Sequence, residues 1–465
     1  MISVAAFCTV GVLFAAEPAD VRIPQHFDRM FNSYKESFVY KIYLKSKGES
    51  PVTTIDQVRD IIRLTHDISG GMHQIVYLVG WQYDGHDSKY PAWHEAGAHC
   101  ASTLSDNPRE SLRRLMREAR VYNADMSFHV NMNDAYPSSP LWKTYEEKDL
   151  LRRMEDGSVY VGDDWGGERC RIISHVREWD SGLAQKRIME LLELYPEIRT
   201  SGTIHIDALW ACDSPFHKIS KDEDLVAINK IIDFWHAQGV DVTTEFLWDF
   251  RQLGYYPMVY HLDLEEKQMI EVTPDIVCGG SPARSIRYPD GLYRRPKLDP
   301  IPGLGVLYPE AWGLSQWGDL TGAVLQDKRV FVTNFMTRVA LFAYYNRSRP
   351  VRNVIDAKTY SVERSNGVIA TVRMKDRVLS VTDNGRDVLS EGDQFLDFPM
   401  GGGTILAFSR NGCDRYFDLP KSFLGKRVLV GKSYPDGKPC RFDVKNGKVR
   451  IVLAPATSAA LRLEE

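Results

Sequence analysis

Between residues 38 and 350, short runs with strand rhythm alternate with longer runs of helical period, and few architectures accept such a chain. The strand runs are "FVYKIYL" (38–44), "QIVYLVG" (74–80), "DMSFHVNM" (125–132), "TIHIDAL" (203–209), "VDVTTEFLW" (240–248) and a weaker "DIVCGG" (275–280). Between the fourth and fifth lies "DEDLVAINKIIDFWHAQG". It puts Leu225, Ile228, Ile232 and Trp235 on one helical face, acidic residues at its start, and Gly239 where a C-terminal stop belongs. Such repetition implies parallel strands joined by crossover helices. The length suits an α/β fold of the (β/α)8 TIM-barrel type, predicted over residues 17–350. Strands seven and eight are not placed by pattern alone; "GVLYPEAW" and the helical "VFVTNFMTRVALFAYYNR" belong to their region.

From residue 351 the texture changes. Short alternating runs such as "GVIATVRM", "RVLSVTD", "TILAFSR" and "KVRIVLAP" are punctuated by Asn366-Gly367, Asn384-Gly385, Asp436-Gly437 and Asn446-Gly447. These dipeptides supply the positive φ that tight hairpins need. An antiparallel β-sandwich is predicted over 351–465.

The totals exclude some functions. The 58 Lys and Arg against 62 Asp and Glu leave a net charge of −4, without a basic run, so nucleic acid is not an expected partner. The start is apolar from Val4 to Ala16 and then polar, which predicts a signal peptide over residues 1–16 and export to the periplasm or beyond. No later run is apolar for long enough to span a bilayer. Of seven cysteines, none forms a CxxC pair. Cys413 and Cys440 are read as either a disulfide or two buried thiols.

Function is read from the polar faces of the strands. In a parallel barrel one side of each strand meets the helices and the other meets the axis. In "SFHVNM" the outward set is Phe128, Val130 and Met132, leaving Ser127, His129 and Asn131 inward. In "TIHID" Ile204 and Ile206 face the helices, so Thr203, His205 and Asp207 face inward. In "DVTTEF" the inward pair is Thr243 and Glu245. The charges come at the C-terminal strand ends, where barrel enzymes build their sites. Inward carboxylates also serve as salt-bridge partners or helix caps, but a buried carboxylate without a partner costs several kcal/mol. Two that converge are better explained by catalysis. On neighbouring strands Asp207 and Glu245 would stand roughly 5–6 Å apart, close to the roughly 5–5.5 Å of a retaining glycosidase pair.

"VGWQYDGHDSKYPAWHEAGAH" (79–99) follows the second strand and brings Asp84, His86 and Asp87 toward the same end, with Trp81 and Trp93 as flat surfaces for a sugar ring. Its histidines, His86, His94 and His99, match no metal-ligand spacing such as HExxH, and no metal is expected.

Taken in order, "GHDSKYP", "HVNMNDAYP", "IHIDALW" and "VTTEF" resemble the endo-α-N-acetylgalactosaminidases of glycoside hydrolase family 101, to which the smaller family 129 enzymes are related. The resemblance covers the barrel and the following sandwich. It implies a retaining mechanism on α-linked N-acetylgalactosamine of mucin-type O-glycans, without metal or organic cofactor. Asp207 would be nucleophile and Glu245 general acid/base. Asp87, His86, His129, Asn131, Trp81, His205 and Trp210 would line the sugar subsite. Two departures leave endo or exo action open. Asn133-Asp134 stand where the family motif usually has Thr-Glu, and the barrel begins within 40 residues of the start without the family's preceding β-rich region. The other readings carried forward are a catalytically silent glycan-binding protein on the same scaffold and a metal-dependent hydrolase using the His86–His99 loop.

Overall fold

The structure is a computed structural model. It describes residues 31–246, 249–261, 270, 277–278, 309–312, 320–399, 403–424 and 428–464. The leader expected at 1–16, and most of the region in which strands seven and eight were sought, lie outside these residues.

The first sheet is wholly parallel. Its strands are β1 (Phe38–Tyr43), β2 (Gln74–Val79), β3 (Ala124–Val130), β7 (Thr203–Ile206), β8 (Asp241–Phe246), β9 (Met258–His261) and β10 (Val277–Cys278), hydrogen-bonded in that order. Between β3 and β7 a small antiparallel sheet is inserted, made of β4 (Asp134–Ala135), β5 (Val161–Trp165) and β6 (Glu168–Ile172). On the far side of β1, Leu320 continues the sheet: Tyr43 N donates to Leu320 O at 2.8 Å and Leu320 N to Lys41 O at 2.9 Å, in the parallel sense. Seven strands and this bridge trace the wall of a TIM-type barrel.

The expected strands are present at 38, 74, 124, 203 and 241. Two readings need correction. The sixth strand is Met258–His261, and the "DIVCGG" run supplies the seventh position through Val277–Cys278. "GVLYPEAW" contributes a helix, Pro309–Trp312, in its described part.

Crossover helices form for local reasons. Ile55–Ile68 opens on a capping box, Thr54 with Gln57, and Lys221–Ala237 on another, Ser220 with Glu223. The second buries Leu225, Ile228, Ile232 and Trp235, as its period requires, and stops before Gly239, whose φ is +83°. The segment 328–346 is helical throughout, with a π-helical turn at Phe335–Ala340.

The alternation rule holds in three dimensions. Phe128, Val130, Ile204, Ile206 and Val242 pack outward into the main core, under the helices. Val39, Ile75, Tyr77 and Met258 plug the bottom of the barrel in a cluster of their own. Above them Tyr77 Oη and Thr203 Oγ1 share a hydrogen bond at 2.6 Å, and His205 Nδ1 meets Thr243 Oγ1 at 2.8 Å. The C-terminal ends therefore rest on a filled lumen.

The C-terminal region, Pro350–Leu463, is one hydrogen-bonded antiparallel sheet of ten strands. It makes its own sandwich by bending. Phe395 lies beside Ala407, and Phe417 lies ten residues further along the same strand, Thr404–Asp418. A straight strand would separate them by about 33 Å, yet the rings stack with centroids 4.9 Å apart. The other face covers the barrel: Phe398 meets Phe38 of β1, and Tyr360 accepts a hydrogen bond from Trp312 Nε1 at 2.8 Å. Cys413 and Cys440 are free thiols, which decides between the two readings of that pair.

Candidate active site

β7 and β8 are in register, with His205 opposite Thr243 and Ile206 opposite Thr244. One step further, Asp207 stands beside Glu245. Asp207 N still donates to Val130 O at 2.8 Å, so the carboxylate is carried on the end of the ladder rather than on a loose loop. The Glu245 carboxylate is near enough to raise the proton affinity of Asp207.

Four predicted residues line an opening here. The side chains of His86, Asp87, Asp207 and Glu245 keep 19, 21, 20 and 17 % of their surface exposed. His86 Nε2 lies 3.5 Å from Asp87 Oδ2, and Tyr90 Oη lies 3.4 Å from His86 Nδ1. Asp87 has a positive φ, +55°, in the turn that aims its carboxylate inward. Trp210 sits half-buried in the loop that leaves Asp207.

Others sit behind the opening. His129 Nε2 is 3.5 Å from Asp207 Oδ2, and its ring packs edge-on against His86 and tilted over His205. Asn131 accepts from the backbone N–H groups of Asn133 and Asp134 and donates to Asp134 at 2.9 Å and Asp207 at 3.5 Å. Both are 1 % exposed, so they hold Asp207 in place.

Three expectations are corrected. Trp81 is fully buried, stacked on outward-facing Phe128 at 4.0 Å with its Nε1 donating to His129 O, and offers no face to a sugar. His205 is also fully buried, in the layer beneath the carboxylates, and supports the floor. Trp93, the other aromatic surface expected from that loop, is buried under the Arg187 guanidinium.

Sequence reasoning missed Lys41. Its Nζ lies 3.0 Å from Glu245 Oε2, with only 3 % of the side chain exposed. The inward-face rule finds it when applied to β1, where Val39, Lys41 and Tyr43 alternate with outward Phe38, Tyr40 and Ile42. Asp134, noted only as a departure from a motif, is a further buried acid at the site.

This crowding holds protons. Burial pushes the Asp207 carboxyl up to about 7; Glu245 adds to the rise, while His86 and Lys41 oppose it. Burial likewise raises Asp134 to about 7, with the charges of Asp87 and Asp207 adding. Asp87 is raised too, by burial, against the pull of His86. The pair at 207 and 245 therefore favours one negative charge and one proton.

The His86–His99 loop does not gather a metal site. His94 bonds Tyr83 Oη and His99 bonds Gly80 O, both at 2.8 Å, facing away from His86. Among the described residues, the donor groups close enough to share an ion are His86–His129–Asp207 and His129–His205–Glu245. Each draws on one carboxylate of the pair and on the buried His129.

A barrel with two carboxylates side by side at the C-terminal ends of adjacent strands is the architecture of a glycoside hydrolase. Residues 21–253, half of the chain, match the family model described as endo-α-N-acetylgalactosaminidase. The chain belongs to glycoside hydrolase family 101. Its fold is similar to that of the α-N-acetylgalactosaminidase NagBb from Bifidobacterium bifidum. The ligand-free form superposes with a TM-score of 0.51 at 12 % identity, over 75 % of this chain and 57 % of that one. The GalNAc complex of the same protein superposes with 0.51 at 14 % identity, over 75 % and 58 %. The matched region is thus less than two thirds of NagBb.

Proposed function

We propose that the chain is an exported retaining α-glycosidase that hydrolyses α-linked N-acetylgalactosamine, or galactose, in mucin-type O-glycans by double displacement. The observation that carries this reading is the register that sets Asp207 beside Glu245. In the first step an Asp207 carboxylate oxygen bonds to the anomeric carbon as the glycosidic C–O bond breaks, and the leaving oxygen takes the proton from Glu245. In the second, Glu245 removes a proton from water, the water oxygen bonds to the anomeric carbon, and the ester to Asp207 breaks. His86 and Asp87 are placed to hydrogen-bond sugar hydroxyls, and Trp210 to cover the ring. The chemistry of both steps is supplied by side chains. No helix among the described residues is long and apolar enough to cross a membrane.

The test is hydrolysis of aryl α-N-acetylgalactosaminide and α-galactoside followed by proton NMR. The α-anomer should appear first, and Asp207→Asn and Glu245→Gln should each lose at least about 10²-fold in kcat, the lower range for a positioned acid or base. Glycan binding with no product over long incubation would instead make this a silent binding protein. A Core 1 disaccharide glycopeptide beside a bare GalNAc-peptide then separates endo from exo action by the sugar released.

A further inference from the structure

We propose that His86, His129 and Asp207 form a binding site for a divalent late transition ion such as Zn²⁺, and that the bound ion stops turnover; the second half rests on the reading of Asp207 above. The three residues come from the loop after β2, the end of β3 and the end of β7, which share one end of the barrel. Each offers one donor atom, and the three donors lie within 4.8 Å of one another. Metal–donor bonds of about 2.1 Å put two ligands of a tetrahedral ion about 3.4 Å apart. His129 Nε2 and Asp207 Oδ2 stand 3.5 Å apart, so two of the three ligands are already at working distance. His86 completes the set by a shift of at most about 1.5 Å, within reach of a partly exposed side chain on a loop.

The donor set selects the ion. Two imidazoles and a carboxylate suit Zn²⁺, Cu²⁺ or Ni²⁺, whereas Mg²⁺ and Ca²⁺ take oxygen ligands. The charge agrees. Asp87, Asp134 and Glu245 stand near Asp207, against the Lys41 ammonium on the Glu245 side, so a dication enters a site with an excess of acids. The other donor set, His129, His205 and Glu245, draws on His205, which is fully buried in the floor with Nδ1 held to Thr243. The upper set is the one with an entry path and a position for a water ligand, because the side chains of His86 and Asp207 keep 19 and 20 % of their surface exposed. Occupation has a direct consequence. The ion holds the Asp207 carboxylate that is to bond to the anomeric carbon, and it draws His86 away from the sugar. Ion and substrate therefore exclude one another.

The experiment starts from protein stripped with a chelator and desalted. Wild type, His86→Gln, Asp207→Asn and Glu245→Gln are titrated with Zn²⁺ by calorimetry and with Co²⁺ by its visible absorption, and circular dichroism confirms that each variant is folded. Wild type should bind an ion that Glu245→Gln retains and that His86→Gln and Asp207→Asn hold at least about 10-fold more weakly, the lower range for losing even a group that only supports a ligand. In hydrolysis of an aryl α-N-acetylgalactosaminide, Zn²⁺ should raise the apparent KM of wild type without changing kcat, and chelator should reverse it. Absence of a bound ion, or one held equally by all four proteins, overturns the site. An ion lost only from Glu245→Gln assigns it to the lower donor set and overturns it too. Activity that chelation abolishes and Zn²⁺ restores overturns the inhibitory role. Binding as predicted, with hydrolysis undiminished at saturating Zn²⁺, leaves the ion site standing and overturns the reading of Asp207 as nucleophile.

Discussion

At the scale of single residues, the acids that make the site reactive also make it costly to fold. Asp207 is raised to about 7 by burial and by the charge of Glu245, and Asp134 to about 7 by burial and by the charges of Asp87 and Asp207, so the native state binds their protons more tightly than the unfolded chain does. The stability they contribute is complete below the ordinary carboxylate range near pH 4 and is lost as pH climbs through about 7. Asp207→Asn should therefore melt above wild type at pH 8, by about 2–4 °C for each kcal/mol relieved, with the gap closing toward pH 5. Scanning calorimetry at the two pH values checks it; a gap that widens at pH 5 contradicts it. Much of this was legible in the sequence, because period-two alternation fixes which side chains share the axis. Trp81 was misread because a residue just past a strand end loses that rule: the turn at Gly80, with φ of +76°, swings it outward onto Phe128.

At the scale of elements, a strand of only four residues, β7, carries the proposed nucleophile, so its position depends on what anchors the loop behind it. Asp224, on the helix Lys221–Ala237, is buried and accepts from His175 Nδ1 at 2.8 Å, from Cys212 N at 3.0 Å and from Val176 N at 3.3 Å. It stitches the Asp207–Ser214 loop to the inserted region after β3. The Asp224→Ala variant leaves His175 and two backbone donors buried without their acceptor. The expected cost is about 3–5 kcal/mol, or a melting temperature lower by at least about 6 °C, with reduced kcat/KM as the loop loosens. Circular dichroism melting measures it, and an unchanged melting temperature contradicts it. None of this was read from the sequence, because contacts between residues 175, 212 and 224 have no local periodicity. The hairpin β5–β6 was missed for another reason: "VGDDWGGERC" is polar, and only its Gly166-Gly167 turn, both residues at positive φ, announces it. β9 was missed because four residues after Pro257 are too few for a period to declare itself.

At the scale of the whole molecule, barrel and C-terminal sheet share one core. The rings of Phe38, Phe335 and Phe398 meet across the boundary, and the main cluster runs from β1 through the helical segment 328–346 into Val362, Val372 and Leu406. The sheet acts as a cover that closes one side of the barrel. Hairpin dipeptides made its strands legible, but not that one continuous sheet would bend into a sandwich, which follows from the long strand Thr404–Asp418 folding its far end, at Phe417, back onto Phe395 of the strand paired with its near end. Everything in this architecture converges on the open C-terminal end of β7 and β8. The claim made for that end is tested most directly by trapping the intermediate. The protein is incubated with a 5-fluoro α-glycosyl fluoride of N-acetylgalactosamine, digested, and analysed by peptide mass spectrometry. The account predicts a single glycosyl adduct on Asp207, absent from Asp207→Asn; an adduct on Glu245, or steady turnover by Asp207→Asn, would contradict it.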